Sequence, residues 1–516
     1  MKRSVLLESE SNIPFRFMED PMTATLDAPA ASPVITPDAA PEQVQPAPHP
    51  RRWLGLFAIL SADLLNLLDS TVGTIAAPAI RADLGGSTST LQWIAAGYTL
   101  AMAVGLLVGG RLGDMYGRKR MMVVGVIGFL ASSLLCGLSA SPEMLLVSRV
   151  LQGGFGAVMV PQSFGLIREL FGREVGKAFA ALGPVIGLAT VLGPVVAGLL
   201  VDADLFGAGW RMIFLINLPL GAFALYVGGR VLPSSEPVAR GERLDVKGAL
   251  LAAAGMFLLV YPLTQGHELG WPAWSFVMLA GSVAVLGGFV VNQARRNRGG
   301  RPALVRLSVF AKRSFSSGVA FVVAFFGVIT GFSLAVGLFL QLGLGYSPLQ
   351  ASLTMAPWAV GAFIGSALSA TALAGLGRRI LHLGLALMGV GLGGLLLVFS
   401  LASDAVGTGH LIAPLAVFGF GMGMIFVPLF DIIVGDLDDA EVGSASGLLT
   451  SVEQLGASLG IAVLGTVFFT VVGVPGVSGV ARFVDAAEVI TVIAIGLTAV
   501  TFALGFLLPR TARQAH

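Results

Sequence analysis

The sequence predicts an all-α polytopic membrane protein of fourteen transmembrane helices, and three observations carry that prediction. The first is composition: of 516 residues, 55% are hydrophobic and only 12% charged, with a mean hydropathy of +0.86. Soluble domains carry about 25% charge, and half that value leaves too few polar side chains to cover a water-facing surface. The second is the recurrence of apolar runs near 20 residues along the whole length. Each can cross about 30 Å of hydrocarbon as a helix, and the short alternating segments of a membrane β-barrel are missing from the pattern. The third is the placement of Lys and Arg, which emerges once the spans are laid out.

Residues 1–50 hold nine prolines and no apolar run of spanning length. Such a segment cannot bury enough surface to offset the entropy of ordering it, so a disordered cytoplasmic tail is expected. It also lacks the early apolar core of a cleavable signal peptide. Arg51 and Arg52 sit directly before the first apolar run, which should therefore act as an uncleaved anchor. Fourteen spans follow, at about 53–78, 90–110, 121–139, 143–165, 176–201, 211–232, 246–265, 273–292, 314–340, 349–374, 380–402, 410–434, 443–472 and 485–508. With the N-terminus inside, all but four of the 31 basic residues fall in the cytoplasmic tails and even-numbered loops. Arg81, Arg211 and Arg482 lie outside, and Arg149 falls within a span. This is the positive-inside bias, and one span more or fewer in the middle would invert half of it. A multi-pass protein of the cell (inner) membrane with both termini in the cytoplasm is expected.

An internal repeat organises the spans. Gly117-Arg118-Lys119 between spans 2 and 3 returns as Gly377-Arg378-Arg379 between spans 10 and 11. Two six-helix bundles, 51–235 and 301–510, with two inserted helices at 236–300, place these loops symmetrically. Residues 511–516 complete the chain as a second cytoplasmic tail.

Several chemistries find no support. A single cysteine, Cys136, excludes an internal disulfide, and a net charge of +2 gives no case for nucleic acid. Gly172 to Ala178 is one residue short of a phosphate-cradling loop and lacks its magnesium-binding hydroxyl. Gly389, Gly391 and Gly394 match the spacing of a dinucleotide fingerprint but sit inside an apolar 20-mer, where small residues serve helix packing. The five histidines are scattered over tails and loop ends, so no metal or other cofactor is expected. No nucleophile–base–orienter set marks an enzyme. An ion gradient is left as the driving force.

Ionisable side chains inside the spans are the positive evidence. A carboxylate at the bilayer centre costs about 2.5–3.5 kcal/mol on insertion scales and is a functional candidate by default. Span 1 carries Asp63, Asn66 and Asp69, three residues apart and so spread over about 120° of one helix face. Asp69 and Arg149 lie at matched depths, roughly 9–14 Å below the outer surface, and should pair. That pair either only locks helices together or handles protons. Glu453 lies about 15 Å into span 13 on the face that carries Gly456 and Gly460. It is either a neutral carboxyl packed in the bundle or a proton exchanger. Asp431, near the inner end of span 12, is expected at the interface. After span 12, Asp436, Asp438, Asp439 and Glu441 form a loop without basic residues. It is either a solvated acidic turn or a partner for Arg118, Lys119 and Arg120 when the cytoplasmic side closes.

The loop Gly110-Arg-Leu-Gly-Asp-Met-Tyr-Gly-Arg-Lys-Arg120 resembles the signature between the second and third helices of the major facilitator superfamily. Leu68-Asp69-Ser70-Thr71 with Ala76-Ala77-Pro78 is similar to the span-1 signature of its fourteen-helix drug:proton antiporter branch, with Thr74 where that branch usually has Asn. Arg149-Val-Leu-Gln152-Gly153 resembles the span-4 motif whose arginine is implicated in proton transfer. Ala189-x-x-x-Gly193-Pro194-x-x-Ala197-Gly198 resembles the antiporter motif of span 5, and Trp210 to Pro219 the hallmark of span 6. The resemblance implies the major facilitator fold and alternating access, with Asp69, Arg149, Glu453 and Asp63 in proton coupling or substrate binding. Asp114, Arg118, Lys119, Gly110 and Gly117 would form a cytoplasmic gate, and Gly193, Pro194 and Gly198 a tightly packed, kinked helix that seals a leak. The partners would be a lipophilic, cationic drug or antibiotic, protons and the lipid bilayer, with a monomer sufficient. An uptake symporter on the same fold and a transport-silent sensor are the alternatives. The exporter reading requires Asp69 and Glu453 to reach a water-accessible chamber.

Overall fold

In a computed structural model the described residues are 49–70, 75–174, 177–178, 193–234, 236–237, 242–371, 376–402, 405–435, 437, 439–474 and 479–509. Of the tails expected at 1–50 and 511–516, only residues 49 and 50 lie among them. Among the described residues regular structure is helical throughout: α1 (Arg52–Ser70), α2 (Ala77–Leu84), α3 (Thr88–Tyr116), α4 (Arg118–Gly137), α5 (Pro142–Phe171), α6 (Gly193–Asp202), α7 (Gly209–Val231), α8 (Val246–Gln265), α9 (Ala273–Arg298), α10 (Arg313–Gly343), α11 (Pro348–Thr371), α12 (Arg378–Ala402), α13 (Thr408–Val434), α14 (Asp439–Val472) and α15 (Ala481–Gly505).

Twelve of these helices are long and apolar enough to cross a membrane, against the fourteen expected. The two expected spans that do not qualify, the first and the fifth, have local reasons. In α1 the apolar run is broken by Asp63, Asn66 and Asp69. For span 5 only its last part, α6, lies among the described residues. α10 ends in a π-turn over Phe339–Gly343, after which Gly345 turns the chain at φ +67°.

Side-chain size decides how closely the helices approach. On α3, Gly109 faces the carbonyl of Ala157 on α5, while Gly153 of α5 faces the carbonyl of Tyr98. α11 and α13 repeat the device, with Gly365 against the Phe420 carbonyl and Gly423 against that of Ala362. A Cβ at any of these positions would collide with backbone, which cannot rotate away as a side chain can. α10 meets α14 through Gly327 and Gly331 against Gly456 and Gly460, the glycine face predicted for span 13. Small residues are the usual means of close packing where lipid is as apolar as the side chains.

α8 and α9 pack against each other, and α8 also leans on α3 and α14. Only 11% of the apolar window of α9 is buried, so its surface is left for lipid.

Candidate functional site

A polar cluster lies in the wall formed by α1, α3, α4, α5 and α7. Asp69 and Arg149 form an ion pair, each 1% exposed. The guanidinium also donates from Nε to the Ile94 carbonyl at 3.0 Å and from Nη1 to Gln152 Oε1 at 2.9 Å, and it lies 4.2 Å from the centre of the Tyr98 ring. Gln152, one turn after Arg149, turns the same way and donates to Asp69 Oδ1 at 2.9 Å and to Ser133 Oγ at 2.7 Å. Asn217 of α7 donates to Ser133 Oγ at 3.1 Å and to Asp69 Oδ1 at 3.5 Å. The Tyr98 hydroxyl donates to Asn66. Buried charges survive only when paired and hydrogen-bonded, and both requirements are met here.

The matched depths of Asp69 and Arg149 thus correspond to a contact. Sequence reasoning missed Tyr98 and Ser133, and quoted Gln152 and, within the span-6 hallmark, Asn217 without roles. Their common signal is an uncharged polar side chain within an otherwise apolar span. In this conformation Asp69 is sealed from solvent, so the required access to a chamber is not met there.

Asp63, further along the same face, is partly exposed and accepts from Ser163 Oγ at 2.7 Å. Glu453 is also partly exposed. With Ser446, which is exposed, and Thr450, partly exposed, it forms an i, i+4, i+7 stripe of polar side chains running inward along α14. Asp431 is exposed, as expected of an interfacial residue.

The loop between α3 and α4 is a single residue, Gly117, at φ +92°. A side chain there would be strained. Arg118 reaches Glu169 at 3.2 Å and Asp114 at 3.7 Å, and Lys119 donates to the Leu232 carbonyl at 2.8 Å. The loop is therefore tied to the end of α5 and to the segment after α7, partners the sequence did not reveal. Gly110 has ordinary room, its nearest neighbour being Pro161 Cβ at 3.9 Å; Gly109 makes the close approach instead. Asp436 and Asp438, and the side chains of Asp439 and Glu441, lie outside the described residues.

Contacts joining α1–α7 to the later helices run from mid-span to the ends opposite the α3–α4 loop. Gly198 of α6 is buried, with Pro348 and Ser352 of α11 crowding the site of a Cβ, and Asp202 accepts from Ser347 Oγ at 2.5 Å. Gly193 is buried and Pro194 partly so, at the start of α6; Ala189 lies outside the described residues. Ser451 and Ser458 of α14 donate to the carbonyls of Ala103 and Ala96 on α3, and Thr466 donates to Leu263 of α8 at 2.7 Å. The turn after α8 adds Glu268, which accepts from the Ser89 amide at 2.6 Å and from Thr88 at the start of α3. Burial opposes its charge, but these hydrogen bonds outweigh it and hold the carboxyl below its usual range.

Comparison with known proteins agrees with this architecture. The family model described as Major Facilitator Superfamily matches residues 59–461. The chain is 48% identical to a probable actinorhodin transporter of Streptomyces coelicolor, covering 88% of this chain and 79% of that protein. It is 34% identical to a tetracenomycin C resistance and export protein of Streptomyces glaucescens, covering 82% and 77%. It is 36% identical to a puromycin resistance protein of Streptomyces alboniger, covering 81% and 82%. Among solved structures, an auto-inhibited POT family peptide transporter superposes with a TM-score of 0.62 at 18% identity, over 90% of this chain and 98% of that one. The nucleoside transporter NupG gives 0.60 at 12%, over 87% and 99%; at these identities the likeness concerns the fold alone. The chain belongs to the major facilitator superfamily and is a multi-pass membrane transporter of small molecules, not an enzyme.

Proposed function

We propose that this transporter exports lipophilic drugs or antibiotics, cations among them, in exchange for protons. Three relatives, at 34–48% identity, carry names of transport, export or resistance directed at antibiotics, which favours outward movement. The observation that carries the coupling is the contrast between two carboxyls. Asp69 is locked against Arg149, whereas Glu453 is a partly exposed carboxyl that lipid would not tolerate. In this reading Glu453, helped by Asp63, exchanges protons and binds the drug, and Asp69 changes state only as the helices move. Each elementary charge carried inward gains about 2.3 kcal/mol per 100 mV.

The same reading takes α1 and the span ending in α6 as crossing helices, which makes fourteen, with two six-helix bundles around an inserted pair. Both termini lie in the cytoplasm, and the cross-contacts at the far ends of α3, α6, α11 and α14 belong to a state closed to the outside. Arg118 and Lys119 brace the inner end.

The test is a panel of toxic compounds, ethidium included, applied to a sensitive host with and without the protein, with a proton uncoupler as control. Energy-dependent exclusion that the uncoupler abolishes is expected. Uncoupler-sensitive accumulation would make the protein an uptake symporter, and the absence of any flux would make it a sensor.

A further inference from the structure

The cluster around Asp69 contains an imbalance. Among the described residues, the Asp69 carboxyl receives hydrogen bonds from three donors, Arg149 Nη1, Gln152 Nε2 and Asn217 Nδ2. Such a setting suits the ionised form. A neutral carboxyl carries its own O–H and needs an acceptor. The neighbouring acceptors are already engaged, since Gln152 Oε1 takes Arg149 and Cys136 and Ser133 Oγ takes Gln152 and Asn217. One acceptor stands idle: Asn217 Oδ1 is buried and finds no partner among the described residues. It belongs to a residue 0% exposed whose other amide atom already faces Asp69. An unpartnered buried oxygen is costly to keep, so its placement beside a carboxyl has a chemical meaning.

We propose that Asn217 is a positioning residue for the protonated state of Asp69. When Asp69 takes up a proton, the amide of Asn217 turns about its last bond and brings Oδ1 to the carboxyl. The new O–H donates to Oδ1, and Ser133 reverses to donate to the same oxygen. No bond other than the O–H of the carboxyl is made or broken. The Arg149 guanidinium loses its counter-charge in the same step, which frees α1 from α5. Among the described residues, the titratable or charged groups facing Asp69 are Arg149 from α5, Tyr98 from α3 and Cys136 from α4; α7 presents the uncharged Asn217 and Phe214. The proposal rests on the reading of Asp69 as a group that changes protonation during transport.

The experiment needs no substrate. Infrared difference spectra of the purified full-length protein in nanodiscs, taken across pH 5–9, follow the carbonyl stretch of neutral carboxyls. The Asp69 band is identified as the component lost in D69N. Asn217→Leu keeps the shape of the side chain and removes both its acceptor and its long 3.5 Å donor bond to Asp69; the acceptor bond is the stronger of the two, so the midpoint of that band should move about 0.5 pH unit toward acid. Asn217→Ala serves as the second variant should the first not fold. Ser133→Ala removes one hydrogen bond to the Asn217 amide in each state, the one it accepts when Asp69 is ionised and the one it donates when Asp69 is neutral, so it should leave the midpoint within about 0.2 units. An unchanged or raised midpoint in the Asn217 variants, with an Asp69 band present in the unaltered protein, overturns the role of Asn217 and leaves the larger reading standing. A spectrum with no Asp69-dependent band at any pH overturns both.

Discussion

Removing one member of the Asp69–Arg149 pair should destabilise the protein more than removing both. Asp69→Asn leaves the guanidinium buried without a counter-charge, and breaking a buried pair this way costs about 3–5 kcal/mol. Three remaining contacts hold the cost near the lower end. The Ile94 carbonyl and Gln152 Oε1 still accept from Arg149, and the Tyr98 ring lies 4.2 Å away. About 3 kcal/mol is therefore expected. Arg149→Met leaves the carboxyl with Gln152 and Asn217 as donors and should cost a similar amount. In the double variant no charge is left in the wall, and apolar replacement of a buried pair is often neutral. Its loss should therefore lie below either single loss, which puts it more than about 3 kcal/mol short of their sum. Equilibrium unfolding of the purified protein in mixed micelles measures all four proteins, and a parallel transport assay follows function. Stability losses that add would show that the two residues do not act as one unit. Wild-type transport by the double variant would remove the pair from the mechanism even if the stability cycle behaves as described.

Neighbouring glycines should behave oppositely: Gly109→Ala drives a methyl into the Ala157 carbonyl and should cost about 1–3 kcal/mol, whereas Gly110→Ala, with Pro161 Cβ at 3.9 Å, should be neutral or slightly stabilising. Thermal unfolding compares them, and equal losses would refute the packing argument. Glu453→Gln should fold normally yet lose uncoupler-sensitive export, measured as ethidium retained by cells; undiminished export would take Glu453 out of the coupling. At the ends of the spans remote from Gly117, hydrogen bonds from Arg211 at 2.6 Å and Trp210 at 3.0 Å hold the Asp83 carboxyl below its ordinary value of 3.8. A lowered carboxyl stabilises the fold above its ordinary titration range, and the contribution disappears as pH falls through the lowered value. The stability gap between the unaltered protein and Asp83→Asn should therefore close on acidification from pH 7 to below pH 4, and a gap constant with pH would contradict the assignment.

The spans were legible because hydrocarbon imposes one rule on every segment that crosses it, and the distribution of arginine fixed their number and direction as expectations. The Asp69–Arg149 contact was legible for a similar reason: depth follows from counting 1.5 Å per residue from a span's end. What surrounds the pair was not. Tyr98, Ser133 and Asn217 come from three different helices, and nothing in one sequence says which faces those helices turn toward one another. Arg118 illustrates the same limit, since its bond to Glu169 crosses 51 residues of chain. Gly109 and Gly110 differ by 100° around α3, so only the register of that helix against α5 tells which of them is crowded. Asn66 was noted for its charged neighbours, but its bond to Tyr98 required the fold.

The hydroxyls of Ser451, Ser458 and Thr466 fasten α14 to α3 and α8 in a way unlike the glycine-to-backbone seams elsewhere. Each such bond between membrane helices is worth about 0.6 kcal/mol, so the three together resist separation by roughly 2 kcal/mol. That is comparable to what a single elementary charge releases in descending 100 mV. A latch of that strength stays shut against thermal jostling for most of the time, and on the proposed reading the passage of one ion releases enough to spring it.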